Sequence, residues 1–216
     1  MEPLALNLTG SRFASLCYLA DKPEQFDVYL QNLVEGQPTP IPVDRLPMVQ
    51  HGQTNERVTL NRLQQLGLTI RPQYRVKHLK ETLVFDRPVG AKSDGLYKRI
   101  FDEQTREYGI LEIKSPSTQV HTVVPPYYLA QIILEMKACK RRHALFVSHF
   151  NMPPLPEELR VFHVPWDDAL WDQCVRVFER FNLWTPGSAT QDIRETIQHF
   201  QQWAVTWIQQ QVQTTF

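Results

Sequence analysis

Glu107-Tyr108-Gly109-Ile110-Leu111-Glu112-Ile113-Lys114 is the stretch on which the reading of this chain turns. Leu111 and Ile113 alternate with Glu112 and Lys114, which is the period of a β-strand. An acid and a lysine therefore share one face while aliphatic side chains enter the other. Just upstream, Asp102-Glu103-Gln104-Thr105-Arg106 is a polar turn between two strand-like runs. A hairpin centred near Glu103 sets Leu96 opposite Ile110 and Asp94 opposite Glu112. Opposed side chains on such a pair have Cβ atoms roughly 4.5–5.5 Å apart, so two carboxylates there repel unless a cation joins them. A slip of one residue would reverse the faces.

A third acid points the same way. The pattern over Met48–Leu66 is helical, and Glu56 shares a face with Leu60 and Leu63, one and two turns on. That face is expected to turn toward the core, where an unpaired carboxylate is costly. Gly52, one turn earlier, removes a side chain and would let backbone or ligand approach. Three readings of Glu56 stay open: an ion pair at the helix edge, a snorkelling side chain, or a metal ligand. Asp94, Glu112 and Glu56, with no His or Cys partner, make a hard, oxygen-rich set that suits Mg²⁺, with Mn²⁺ as a substitute. A lysine beside such a metal can orient or help deprotonate a water and offset charge on a phosphate. Together these parts imply metal-assisted phosphodiester hydrolysis.

Working outward, Leu68–Leu79 and Val89–Phe101 read as strands, rich in β-branched and aromatic residues. Pro125-Pro126 opens a helix running to about Lys140, since proline is tolerated in a first helical turn. Its core face is Leu129, Ile132, Ile133 and Met136. His143–Phe150 and Leu159–Val164 are further strands, and two helices follow near Asp167–Phe181 and Ala189–Gln211. The segment from Gly36 to Pro47 holds four prolines and reads as an irregular connection. The order of elements predicts an α/β fold: a mixed central β-sheet flanked by helices, with extra C-terminal helices. The expected organisation is a single domain over 1–216, with an N-terminal extension (1–47), a catalytic core (48–150) and C-terminal strand and helices (151–216).

Composition excludes some classes. At 216 residues, 42% hydrophobic and 21% charged, the chain is ordinary globular protein, with no apolar run long enough to span a bilayer. The first residues lack the basic and apolar regions of a signal peptide. Cys17, Cys139 and Cys174 are scattered, without CxxC spacing, which argues against a disulfide framework, a zinc site or an iron–sulfur cluster. The expected setting is intracellular, cytoplasm or nucleus. Lys+Arg and Asp+Glu both number 23, so net charge does not point to nucleic acid, and only local segregation of charge would.

Ser93-Asp94-Gly95-Leu96, followed by Gly109-Ile110-Leu111-Glu112-Ile113-Lys114-Ser115-Pro116, resembles the signature of the PD-(D/E)XK nuclease superfamily. The branch it is similar to is that of lambda exonuclease and the YqaJ-type viral recombinases. There a helix carrying G-x-x-x-E precedes the signature, as Gly52-Gln53-Thr54-Asn55-Glu56 does here. A helix bearing a glutamine follows, matched by Pro125 to Met136 with Gln131, which lies almost opposite the core stripe on the face of Tyr127 and Glu135. The match runs from about residue 48 to 150, and four parts in order are specific where a lone D…ExK is not. Ser93 stands where the family usually has proline, which changes the turn and not the ligands.

The resemblance implies a restriction-endonuclease-like core in which Asp94 and Glu112 ligate the metals, assisted by the Ile113 carbonyl. Lys114 would serve the nucleophilic water, Glu56 would complete the metal site, and Gln131 would contact the scissile region or Lys114. It also implies DNA as substrate, 5′-to-3′ attack on duplex ends in recombination or replication, a homo-oligomer, and a single-strand annealing protein as partner. Ser11, Arg12 and Ser15 would supply a pocket for the terminal phosphate, with Ser115 beside the site. Arg71, Arg75 and Lys77, at roughly alternate positions of one expected strand, are the candidates for tracking phosphates. Lys137, Lys140, Arg141 and Arg142 end a helix and read as a solvated cap to its dipole ahead of a DNA groove. The seven histidines show no ligand spacing. Phe178, Phe181 and Trp184 read as core, and the stripe Ile193, Ile197, Phe200, Ala204, Trp207 and Ile208 reads either as core or as a subunit interface. The alternatives left open are an endonuclease or nickase with the same site, and a catalytically silent DNA-binding module.

Overall fold

The computed structural model describes residues 8–37, 46–73 and 75–215. The proline-rich connection expected over 36–47 and the first seven residues fall mostly or wholly outside that range. Six helices and eight strands are present among the described residues: α1 (Gly10–Leu19), α2 (Pro23–Glu35), α3 (Leu46–Gln65), β1 (Thr69–Pro72), β2 (Lys77–Val84), β3 (Arg87–Ala91), β4 (Gly95–Ile100), β5 (Arg106–Lys114), α4 (Pro126–Cys139), β6 (His143–Phe150), β7 (Glu158–Pro165), α5 (Asp168–Leu183), α6 (Gln191–Gln211) and β8 (Gln213–Thr214). Six strands form one sheet in the order β1-β4-β5-β6-β7-β8, and β2 and β3 form a separate hairpin. Within the large sheet only β5 and β6 run parallel, with α4 as their crossover, so the sheet is mixed, as expected.

Alternation along β5 divides the protein. Ile110 faces a large core with Ile132 and Ile133 of α4, Phe13 of α1, Phe178 and Phe181 of α5, and the expected stripe of α6. Leu111 and Ile113 face a smaller core with Leu63 of α3, Tyr97, Leu145 and Val161. The β4–β5 hairpin has the expected register, with Leu96 opposite Ile110 and Gly95 opposite Leu111. Trp184 is half-buried against Phe85, at the margin of the large core. Among the described residues no helix is long and apolar enough to cross a membrane.

Several local expectations are corrected. Residues 68–79 are not one strand: β1 lies on the edge of the large sheet and β2 in the hairpin. Pro72 is tolerated on this edge strand opposite Gly95, and the Gln73 N–H carries the same register to the Asp94 carbonyl at 3.2 Å before the chain bends at Arg75. Arg71, Arg75 and Lys77 therefore lie on β1, in the bend after it and on β2, and do not form one row. Val89–Phe101 likewise splits into β3 and β4, because pairing with β2 ends at Ala91 and pairing with β5 begins at Gly95. Asp94 sits at this change of sheet.

On α3 the fully buried stripe is Asn55, Thr59 and Leu63, with Glu56 and Leu60 half-buried beside it. Polar residues can take that stripe because each finds a partner. Asn55 Nδ2 donates to Ser115 Oγ and the His149 carbonyl, at 3.0 and 3.2 Å, and Thr59 Oγ1 lies 2.7 Å from His149 Nδ1. The face of α4 opposite its core stripe is also buried. There α1 packs so closely that a Cβ on Gly10 would stand 3.2 Å from Gln131 Cγ. Gln131 and Glu135 are 5% and 1% exposed. Gly52 faces open space: outside its own helix, no described atom comes within 4 Å of where its Cβ would be, so no backbone makes the close approach expected there.

Candidate active site

The site forms where the end of β5 meets the start of β4 and the first half of α4. The hairpin register ends with Gly95 opposite Leu111, and Asp94 does not pair with Glu112 as expected: its N–H donates one residue out of register, to the Leu111 carbonyl at 3.0 Å, while Asp94 Oδ2 accepts the Ile113 N–H at 2.6 Å. Asp94 is thus fixed to β5 through both its main-chain N–H and its carboxyl. Burial first, and then the charge of Glu112, push it well above the ordinary carboxylate range. Lys114 and the Ile113 N–H pull the other way, and Glu56 adds to the rise. Glu56 is therefore within electrostatic reach of Asp94 across the gap between α3 and β4.

Glu112 is 2% exposed. Its Oε1 receives Lys114 Nζ at 2.6 Å and Gln131 Nε2 at 2.6 Å. Its Oε2 is buried with no hydrogen-bond partner. A carboxylate oxygen left so is costly unless something else binds it. The Lys114 ammonium also donates to Gln131 Oε1 at 3.3 Å and lies 4.6 Å from the centre of the Tyr128 ring. Burial alone would lower its pKa, but Glu112, Tyr128 and Asp94 outweigh it and hold the lysine above its ordinary value. Lys114 as it stands is a cation and not a base.

The structure adds members that the sequence did not single out. Glu135 Oε1 accepts Gln131 Nε2 at 2.8 Å, while its Oε2 is buried without a partner. Burial first, then Glu112, hold the Glu135 carboxyl well above the ordinary range, with Asp94 contributing. Asn55 joins α3 to Ser115, immediately after the Glu112-Ile113-Lys114 run. His121 is half-buried against Tyr128, and burial followed by the Lys114 charge lowers its pKa.

Beside Lys114 a cavity of about 920 Å³ opens between α1, α2 and α4. Ser11 and Ser15 line it together with Tyr18, Lys22, Lys114, Tyr127, Tyr128 and Gln131. Arg12 is half-buried on the same helix, its backbone N–H on Thr9 Oγ1. Arg71 and Arg75 are exposed and Lys77 is half-buried, away from that cavity lining. Lys137 lies over the Trp171 and Trp166 rings, and Arg142 pairs with Asp168 at 3.7 Å. The basic end of α4 thus engages α5 and the segment before it. Glu112, Lys114 and Gln131 are bonded to one another, Asp94 is held beside them by the Ile113 N–H, and Glu56 is linked to them through its charge at Asp94; the basic strand positions do not join them.

The crystal structure of an alkaline exonuclease, LHK-Exo, from Laribacter hongkongensis matches this architecture with a TM-score of 0.59, over 95% of this chain and 96% of that one, at 19% identity. This chain shares its fold with an exonuclease. The structure of LHK-Exo in complex with dAMP matches with the same TM-score of 0.59 and 19% identity, over 94% and 96% of the two chains. No family model matches the sequence, and no curated protein does. The exonuclease likeness therefore rests on three-dimensional arrangement and spans nearly the whole of both chains.

The donor set can be tested against a hard divalent cation on its own geometry. Asp94, immediately before β4, and Glu112 of β5 present carboxylates at the same end of the hairpin, with one buried oxygen unpartnered. The Ile113 carbonyl belongs to the residue whose N–H already holds Asp94. Oxygen donors of this kind suit Mg²⁺ or Mn²⁺ better than softer ions.

Proposed function

We propose that this protein is a Mg²⁺-dependent deoxyribonuclease that hydrolyses phosphodiester bonds in duplex DNA from its ends, in the 5′-to-3′ direction. The observation that carries the reading is the convergence of Asp94, Glu112 and Lys114, with Glu112 Oε2 buried and unpartnered. The exonuclease fold supports it. Asp94, Glu112 and the Ile113 carbonyl would hold the metal, with Glu56 completing its surroundings. When bound, the cation supplies charge stabilisation at the phosphoryl oxygens and a water of lowered pKa.

The chain's own residues do the rest. Lys114 carries a fixed positive charge next to Glu112, suited to offset charge that develops on the phosphate and to orient the attacking water. Gln131 holds Glu112 and Lys114 in mutual register, and Tyr128 covers the lysine from outside. Ser11 and Ser15 offer hydroxyls in the cavity next to Lys114, and with Arg12 they are the proposed anchor for a terminal phosphate. Ser115 is proposed to lie along the DNA path, with its hydroxyl steered by Asn55. The sequence resemblance extends the proposal to a homo-oligomer and to a single-strand annealing protein as partner.

The test is digestion of linear duplex and covalently closed circular DNA with Mg²⁺, each linear substrate labelled at one end. Loss of the 5′ label first, with circles resistant, is expected. Equal cutting of circles and lines would make the protein an endonuclease. No cutting of either, with DNA retained in a shift assay, would make it a binding module.

A further inference from the structure

The face of β5 turned away from Gln131 carries a second convergence. Glu107 of β5, His143 of β6 and His163 of β7 meet at the end of the sheet, beyond the smaller core. His163 Nε2 lies 3.1 Å from His143 Nδ1 and 3.1 Å from Glu107 Oε2, and His143 Nδ1 lies 3.4 Å from the same oxygen. With Glu107 ionised, no placement of protons satisfies these three contacts. If both imidazoles donate to the carboxylate, two N–H groups confront each other. If one imidazole donates to the other, a nitrogen lone pair is left facing the carboxylate oxygen.

A cation at the centre removes the conflict, because all three atoms then present lone pairs to it. The spacing fits as well. A tetrahedral site with bonds of about 2.0–2.1 Å has ligand–ligand edges of about 3.3–3.4 Å. The carboxylate is also steadied from behind, where the Tyr97 hydroxyl donates to Glu107 Oε1 at 2.6 Å. An outer partner of this kind orients a metal-binding group. Tyr97 can lie across β5 only because residue 109 is glycine, since a Cβ there would collide with the Tyr97 ring and the His143 carbonyl. Access is open. His143 is 38% exposed, and a cavity of about 420 Å³ beside it, which Glu107 also lines, leaves room for a fourth ligand.

We propose that Glu107, His143 and His163 form a second metal centre, separate from the Asp94–Glu112 site, that takes Zn²⁺. Two imidazoles with one carboxylate favour a borderline ion over Mg²⁺. Its ligands come from three adjacent strands, so the ion ties β5, β6 and β7 together at one end of the sheet. The assignment stands independently of the nuclease reading.

The experiment uses the full chain stripped of metal, then given excess Mg²⁺ to occupy the oxygen-rich site, and titrated with Zn²⁺ against a chromogenic chelator. One Mg²⁺-resistant Zn²⁺ per chain is expected, with a rise in melting temperature. His143→Ala and His163→Gln should each weaken binding by more than about 100-fold, and Tyr97→Phe by about 10-fold, the scale of losing an outer partner. Glu112→Gln should leave Zn²⁺ affinity unchanged. Co²⁺ bound there should show the strong visible absorption of a four- or five-coordinate centre, absent in His163→Gln. Circular dichroism confirms folding, and Tyr97→Phe keeps the test sharp should a histidine variant misfold. No Mg²⁺-resistant Zn²⁺, or Zn²⁺ binding that survives both histidine substitutions, would overturn the proposal.

Discussion

Gln131→Ala should destabilise the metal-free protein by about 2–4 kcal/mol, because that side chain holds two acids and a lysine together. Its Nε2 has two protons, and both are used: one on Glu112 Oε1 at 2.6 Å, the other on Glu135 Oε1 at 2.8 Å. Glu135 is 1% exposed, and its other oxygen already lacks a partner. Truncation leaves that carboxyl unsatisfied, at a cost of about 1–3 kcal/mol, and opens a cavity beneath α1 whose cost adds to it. The same truncation in a Glu135→Leu background still removes the bonds to Glu112 and Lys114 but leaves no carboxyl unsatisfied at position 135. The two changes should therefore couple by about 1–2 kcal/mol. Urea unfolding in EDTA at neutral pH, followed by circular dichroism, reads both quantities. With a slope of about 1–3 kcal/mol per molar, the midpoint of Gln131→Ala should fall by about 1 M or more. A shift near zero, or strict additivity with Glu135→Leu, would show that the buried bridge does not hold these groups.

Four further outcomes are expected. Asp94→Asn and Glu112→Gln should abolish cleavage while leaving the fold intact, and should shrink the Mg²⁺-induced rise in melting temperature that mass action predicts; wild-type cleavage in either would remove the site. Lys114→Ala should lower turnover by about 10²-fold or more with little change in DNA affinity, and a parallel loss of binding would make it a phosphate clamp instead. Burial first, then Glu112, raise the Glu135 pKa above its ordinary 4.5, so its contribution to stability is fully present below that value and is lost as pH rises through the folded pKa. Glu135→Gln should accordingly gain on the wild type as pH increases, in melting curves recorded in EDTA; a constant difference from pH 4 upward would contradict the buried, proton-holding carboxyl. Glu56→Gln should impair turnover and reduce the Mg²⁺ shift without unfolding the protein, whereas equal destabilisation with Mg²⁺ and with EDTA would mark Glu56 as a structural partner.

The acids and lysine of the site were legible because they depend on short-range rules. Strand alternation put Glu112 and Lys114 on one face, and a polar turn over 102–106 fixed the register that sets Leu96 opposite Ile110. Longer-range packing hid the rest. Glu135 reads as an outward position on α4, and only the close approach of α1 at Gly10 buries that face. Asn55 and Thr59 read as polar helix surface, and only His149 and Ser115, reached across the molecule, make their burial affordable. The row of Arg71, Arg75 and Lys77 failed because the strand pattern ran on past Gln73, where pairing with β4 ends and the chain passes from the large sheet to the β2–β3 hairpin.

The histidines were hidden by tertiary pairing alone. His143 and His163 stand 20 residues apart, with no spacing that a local rule detects. They meet because β6 and β7 pair antiparallel, with His143 opposite Pro165 and Leu145 opposite His163, and because Glu107 lies on the next strand with the same parity. That parity separates the two clusters. Even-numbered positions of β5 carry Glu112 and Lys114 toward α4, while odd-numbered positions carry Glu107 to the face shared by Tyr97 and Leu111. One face offers only oxygen to a cation, the other imidazole with carboxylate. A mixture of Mg²⁺ and Zn²⁺ should divide between them by donor type. Saturating Mg²⁺ therefore leaves the histidine site available, and Zn²⁺ bound under that condition reports on the far face of β5.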